Sequence, residues 1–174
     1  PDAVDIGKMV DAVTSINRGI GNQWNNEYTR GVGRYGQSWV RGTLSSKIIS
    51  FDFIKEGDQV ELTQFRRDMA AALDCPRGPK KLTFNDQPNT YYMAVTDGSI
   101  SLREDIRTMQ ATGTITFVVP DGLLHSSITT VLNKDSDPDI GYVKENGDHV
   151  EVAINNPSSV DIYPKISITH KAEN

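Results

Sequence analysis

Between residues 44 and 120 the apolar positions change their period twice, which divides the stretch into a strand, a helix and further strands. Residues 44–55 hold Ile48, Ile49, Phe51, Phe53 and Ile54, a β-branched and aromatic run that predicts a core strand. After a turn at Glu56, Gly57 and Asp58 the period lengthens. Leu62, Phe65, Met69, Ala72 and Leu73 recur at spacings of three and four, predicting a helix with one apolar stripe from Val60 to Leu73. Asp58 can accept from the N–H groups of the first turn and Glu61 can reach back to it, the pattern of a capping box. The helix should stop before Pro76, because the proline disfavours helical geometry at Cys75. Beyond a turn at residues 76–79, short strands are expected at 82–84, 91–100 and 112–119. Residues 86–89 form a turn, residues 103–108 connect the last two strands as a hairpin, and residues 120–122 end the body.

The flanks read differently. Residues 8–17 alternate loosely through Met9, Val10, Val13 and Ile16 and predict a strand. In residues 18–42, glycines and asparagines interleave with Trp24, Tyr28, Tyr35 and Trp39 without a helical period, so a long loop or protruding hairpin is expected. Large aromatics on such an arm need a surface, which a neighbouring subunit can supply if the core does not. Residues 133–139 are polar and proline-bearing, as in a linker. Residues 142–154 read as a hairpin turning at Asn146 and Gly147, a pair that tolerates the positive φ of a type I′ turn. Residues 160–170, interrupted by Pro164, predict an edge-like strand. The expected organisation is a main domain at 1–122, a linker at 123–139 and a small β unit at 140–174.

Composition narrows the class. A chain of 174 residues with 37% hydrophobic and 24% charged residues suits one soluble domain, or one with an appendage. No apolar run approaches the roughly 20 residues that span a bilayer, and the opening residues do not resemble a signal peptide. Cys75 is the sole cysteine, which excludes an internal disulfide and a thiolate zinc cage and fits synthesis in a reducing cytoplasm. The net charge of −5 lies entirely in the last third: 14 basic and 14 acidic residues precede Pro120, and 4 and 9 follow. A neutral body with an acidic tail does not hold nucleic acid by neutralising phosphates.

Candidate chemistry is thin. Gly31, Gly33 and Gly36 match the dinucleotide fingerprint by letter, but no strand precedes them and no helix follows, so an arm or turn is expected. Asp135, Asp137 and Asp139 open like a calcium loop, yet Ile140 and Asn146 stand where glycine and glutamate are needed. His125, His149 and His170 are scattered, and His125 beside Ser126 does not make an oriented triad. Glu104 and Asp105 fall on the expected hairpin connection, and Cys75 reads as a structural thiol. Arg30, Arg34 and Arg41 with Tyr35 and Trp39 form a basic and aromatic strip. Single-stranded nucleic acid or a protein interface could use it, and the interface is favoured because stacking platforms usually stand on sheets. No catalytic residue, cofactor or metal ligand is assigned, and an enzyme is not expected.

One succession of motifs does carry a resemblance. The Asp58-capped helix ends in Leu73-Asp74. Lys80-Lys81-Leu82-Thr83-Phe84 follows, then Asn85-Asp86-Gln87-Pro88-Asn89-Thr90-Tyr91-Tyr92, Ala94-Val95-Thr96-Asp97-Gly98 and a closing Thr114-Ile115-Thr116-Phe117. This order resembles the distal tail proteins of long-tailed phages, or prophages, of Gram-positive bacteria, over about residues 36–120. The resemblance implies a mainly β fold with one α-helix: a tail-tube-like β-sandwich with a flanking helix and a projecting hairpin or arm.

It also implies a non-enzymatic virion protein at the tail tip, assembled in the host cytoplasm. That protein would be a hexameric ring joining the tail tube to the baseplate or tail tip, with a channel through which DNA passes without specific binding. Its partners would be other copies of itself, the tail tube protein and tail-tip proteins, with no membrane insertion. The helix would pack Leu62, Phe65, Met69 and Leu73 on the sandwich, and residues 18–42 would join subunits. Relatives commonly close the domain with a Pro-Asp-Pro-Tyr-like stretch, where this chain has Val119-Pro120-Asp121-Gly122. Residues 150–168 resemble the opening strands of the family's galectin-like C-terminal domain, so residues 140–174 are expected to be its truncated start. Two alternatives remain open: a carbohydrate-binding adhesion module of the tail tip, and a major tail or other tube or baseplate component.

Overall fold

The computed structural model describes residues 4–74, 78–98, 100–137, 139–147, 149–158 and 161–167. Cys75 and Pro76, with the expected thiol and helix stop, lie outside the described residues, as does His170. The chain divides into two compact units, Pro1–Ile128 and Thr129–Asn174.

The first unit is built on β4 (Lys47–Glu56) and β8 (Gln110–Val119), antiparallel and in register along their whole length from Lys47 opposite Val119 to Glu56 opposite Gln110. On β4, Ile49, Phe51 and Phe53 alternate inward, and on β8 Ala111, Ile115, Phe117 and Val119 meet them. The other face of the pair carries Ser50, Asp52, Thr114 and Thr116, so the alternation is that of a sheet with one buried face. Full burial of a residue such as Phe53 or Ile115 contributes about 1.5–3 kcal/mol before the entropy of ordering is counted.

Around this pair the sheet grows to seven strands. β1 (Ala12–Asn17) adds to the free side of β4, with a bulge between Val13 and Ser15. The opposite side of β8 is shared: β7 (Ser101–Asp105) pairs with Gln110–Thr114, and β6 (Gln87–Thr96) pairs with Phe117 and Val118. β6 in turn takes β5 (Lys80–Phe84) along one stretch and β9 (His125–Ser126) at another. Dividing one strand's partners in this way carries the chain from the flat β4–β8 pair into a second arm of the sheet.

Helix α2 (Gln59–Leu73) lies on the buried face. The Asp58 carboxylate accepts from Val60 N at 2.8 Å and Glu61 N at 2.9 Å, while Glu61 Oε2 accepts from Asp58 N at 2.9 Å, completing the capping box. Leu62, Phe65, Met69 and Leu73 are its buried stripe, and the Phe65 ring meets Phe53 edge-on at 5.7 Å. The Leu73 carbonyl accepts from the Thr96 hydroxyl at 2.8 Å, tying the helix end to β6. The mainly β fold with a flanking helix is thus the architecture the chain adopts.

Several local expectations are corrected. Val60 is 77% exposed and does not belong to the stripe, because the N-cap turn points it away from the sheet. Residues 8–17 split into a short helix α1 (Ile6–Met9) and β1, since Ile6 and Met9, three residues apart, both turn toward the core. The 86–89 turn shrinks, with β6 starting at Gln87. Residues 103–108 are not merely a connection: Ser101–Asp105 is a strand, and the turn follows it where the Asp105 carboxylate accepts from Arg107 N. The body does not end at residue 122, because β9 pairs Tyr91 with His125 and Thr90 with Ser126, extending the first unit to Ile128 instead of opening a linker at 123.

In the second unit β10 (Gly141–Asn146) and β11 (His149–Ile154) form the expected hairpin, and Gly147 takes the positive φ of 65° that its turn demands. In the stretch expected as a linker, the Asn133 and Asp137 side chains accept from Asp135 N and Asp139 N in local turns of this unit. The edge-like strand expected at 160–170 does not form over the described residues 161–167.

Candidate interaction surface

The arm at residues 18–42 is a hairpin of its own, β2 (Trp24–Thr29) with β3 (Ser38–Leu44), and no strand of the large sheet pairs with it. Its faces are sharply different. Trp24 and Asn26 alternate onto one side with Leu44 and Gly42 opposite them, while Glu27 and Arg41 occupy the other. Strict alternation would put Trp39 on the Arg41 side. A register shift between Glu27 and Tyr28 prevents this, so that Trp39 stands opposite Tyr28. Trp39 then donates its indole N–H to Asn26 Oδ1 at 3.1 Å, locking the ring in place.

The result is a row of three large rings, Trp24, Tyr28 and Trp39, on one face of a two-stranded ribbon and 51%, 54% and 62% exposed. Gly42 lets the rings approach: a Cβ there would sit 2.9 Å from Asn26 Oδ1 and 3.4 Å from the Trp24 ring. The opposite face is polar, with Arg41 Nε on Glu27 at 2.6 Å across the strands. An isolated hairpin is marginal in water, and one with exposed rings is more so. Its stability and solubility call for a surface to cover the aromatic face.

The basic and aromatic strip foreseen in the sequence is divided by this geometry. Arg41 is neutralised on the polar face, Trp39 belongs to the aromatic face, and Arg34 and Tyr35 lie in the connection between the strands. Gly33 and Gly36 adopt φ of 77° and 85° in that same connection, so the fingerprint glycines serve a turn. The dependence on a bulge at Val40 was not legible in the sequence, where residues 36–42 show only a plain Trp-Val run.

The remaining candidates are dispersed. His125 Nε2 lies 2.7 Å from Asp121 Oδ2 and its ring stacks on Tyr91 at 5.3 Å. Ser126 Oγ instead accepts from Ile128 N at 3.1 Å, so the neighbouring His and Ser do not form a nucleophile–base pair. Glu104 pairs with Arg66 at 3.3 Å, tying β7 to α2. Among the described residues no three metal-ligating side chains converge, and the Asp135, Asp137 and Asp139 run is folded into turns.

Comparison with known proteins decides the family. A model of the phage tail protein RIFT-related domain matches residues 6–119. The chain belongs to that family. It is therefore a structural component of a phage tail and not an enzyme. The matched span runs from α1 to the end of β8, and includes both the aromatic hairpin and the capped helix. Comparison with curated proteins returns no match.

Among solved structures, the tail protein resembles the crystal structure of the SPP1 Dit protein, described as a paradigm of the hub adsorption apparatus in phages infecting Gram-positive bacteria. The TM-score is 0.62 at 15% identity over 80% of this chain. The chain spans 54% of that protein's length. At this identity the likeness establishes a shared distal-tail fold, which agrees with the resemblance carried by residues 36–120.

Proposed function

We propose that this tail protein forms a ring at the distal end of the tail, hexameric as in the family it resembles. It would join the tail tube to the baseplate or tail tip around a channel for DNA. The observation that carries the reading is the aromatic face of the β2–β3 hairpin, which exposes Trp24, Tyr28 and Trp39 on a ribbon that the sheet does not cover. A neighbouring copy laid against it would bury three rings together, and aromatic anchors of this kind dominate protein interfaces. The likeness to a hub protein of a phage tail supports the same role.

In this reading the ring domain expected at residues 1–122 runs on through β9 to Ile128, and residues 140–174 supply the opening strands of a galectin-like β domain. The exposed Val150, Val152 and Ile154 of β11 support the latter, since such a face needs further strands to cover it. The ring would assemble in the host cytoplasm and reach the tail tip with tube and baseplate proteins as partners.

The test is the solution mass of the chain and of a Trp24→Ser, Trp39→Ser double variant, by light scattering at tens of micromolar with electron micrographs of any ring. The parent should assemble and the variant should fall to monomer with unchanged circular dichroism. An unchanged oligomer in the variant removes the hairpin from assembly, and a parent that stays monomeric at all concentrations removes the self-assembling ring.

A further inference from the structure

One residue of the core strand breaks its own pattern. Lys47 continues the inward alternation of Ile49, Phe51 and Phe53, and it is only 8% exposed. Its ammonium donates to the Gly21 carbonyl at 2.9 Å and lies 5.5 Å from the centre of the Tyr92 ring. Among the described residues no carboxylate pairs with it. Asp86 is taken by Arg18, which grips it with Nη1 at 3.0 Å and Nη2 at 2.6 Å while stacking on Phe84. The stem of the Lys47 side chain is covered while its ammonium is only partly so, and one carbonyl satisfies only one of its three N–H donors.

The same lysine opens onto a cleft of about 700 Å³ between the residue 17–22 segment, β4 and β6. Among the described residues no Asp or Glu lines it. Arg18, already held by Asp86, also lines it, as do Asn17, Asn22, Gln87 and Tyr92, and among the described residues none of these last four has a side-chain hydrogen bond to another side chain. A cation at the base and neutral donors around the rim are the complement of an anionic oxygen group.

We propose that this cleft is a carboxylate-binding site, in which Lys47 supplies the charge and Gln87, Asn22 and Tyr92 supply orienting hydrogen bonds. The chemistry is the same whether the carboxylate arrives on a free small molecule or on an acidic side chain of another copy. Occupancy would also fix the foot of the aromatic hairpin, because Gly21, held by Lys47, lies three residues before Trp24.

The test is an amide-resolved NMR titration of the full chain with glutarate at constant ionic strength, with chloride as the reference anion. Saturable shifts confined to Gly19, Gly21, Asn22 and Gln87 are expected, with a dissociation constant on the order of millimolar. Lys47→Met, matched in length and apolar, should weaken binding by about tenfold or more while keeping the fold. Should that variant not fold, Gln87→Leu at an exposed position serves instead and should weaken binding by about threefold.

Equal shifts with chloride, or unchanged affinity in the variants, overturn the proposal. Sedimentation of the parent with and without glutarate separates the sources. Competition with self-association assigns the carboxylate to a second copy, and saturable binding without that competition assigns it to a free ligand.

Discussion

At the scale of single residues, the tightest constraint is Gly113. It faces Phe53 across the β4–β8 pair, and a Cβ there would meet the Phe53 ring and the Ser101 carbonyl, both at 2.6 Å. Neither can retreat freely, because Phe53 is wedged against Phe65 and Ser101 is paired within β7. Gly113→Ala should cost about 1–3 kcal/mol, read as a lower urea midpoint at unchanged slope. Asp58→Ala removes both first-turn acceptors of α2 and should cost about 1 kcal/mol in the same measurement.

Three carboxylates add a pH dependence. The Glu56 N–H and then the Lys55 ammonium hold Asp11 below its ordinary range. The Thr114 and Ser15 hydroxyls do so for Asp52, and the Arg18 guanidinium for Asp86. Because the folded values are depressed, their contribution is complete above the ordinary carboxylate pKa and is lost as pH falls through the lowered folded values. Thermal scans should therefore show the melting temperature falling below pH 4, and Asp52→Asn should flatten that fall. A melting temperature that stays level down to strongly acidic pH would contradict this account.

At the scale of elements, α2 and the β2–β3 hairpin behave as opposites. The helix was legible because its determinants are local: an Asp58–Glu61 cap and a stripe of period 3.6. Only Val60 misled, being apolar but placed by the cap on the outer side. Phe65→Ala should cost about 3–5 kcal/mol, since the ring fills the space above Phe53. The hairpin was legible only as an aromatic, glycine-rich arm. Which rings share a face is decided by the bulge at Val40. Inserting one residue between Glu27 and Tyr28, opposite Val40, removes the bulge and should turn Tyr28 and Trp39 to the Arg41 side, lowering the oligomer mass in light scattering while leaving α2 and the large sheet folded. β7 and β9 were hidden for another reason: each is short and polar and carries no apolar period of its own, β7 being held by the hairpin it makes with β8 and β9 by β6, distant in sequence.

At the scale of the whole molecule, the first unit contains the core and the whole of the span matched to the tail family. A fragment of residues 1–128 should retain the cooperative unfolding and near-ultraviolet circular dichroism of the parent. A fragment ending at residue 122 should be less stable, because it lacks the β9 pairing and the stack of His125 on Tyr91. Equal stability of the two fragments would show that β9 is ornamental to the unit.

The sequence by itself determined the mainly β class, the capped helix, the strands at the centre of the sheet and the tail-protein resemblance. All of these rest on local periodicity, capping chemistry and short motifs that are contiguous along the chain. Tertiary structure alone decided that Lys47 is covered with no carboxylate partner among the described residues, that Asp86 is already held by Arg18, and that three rings line one face of the arm. Those facts arise where segments distant in sequence meet, and a one-residue bulge or a borrowed counter-charge leaves no periodic trace in the chain.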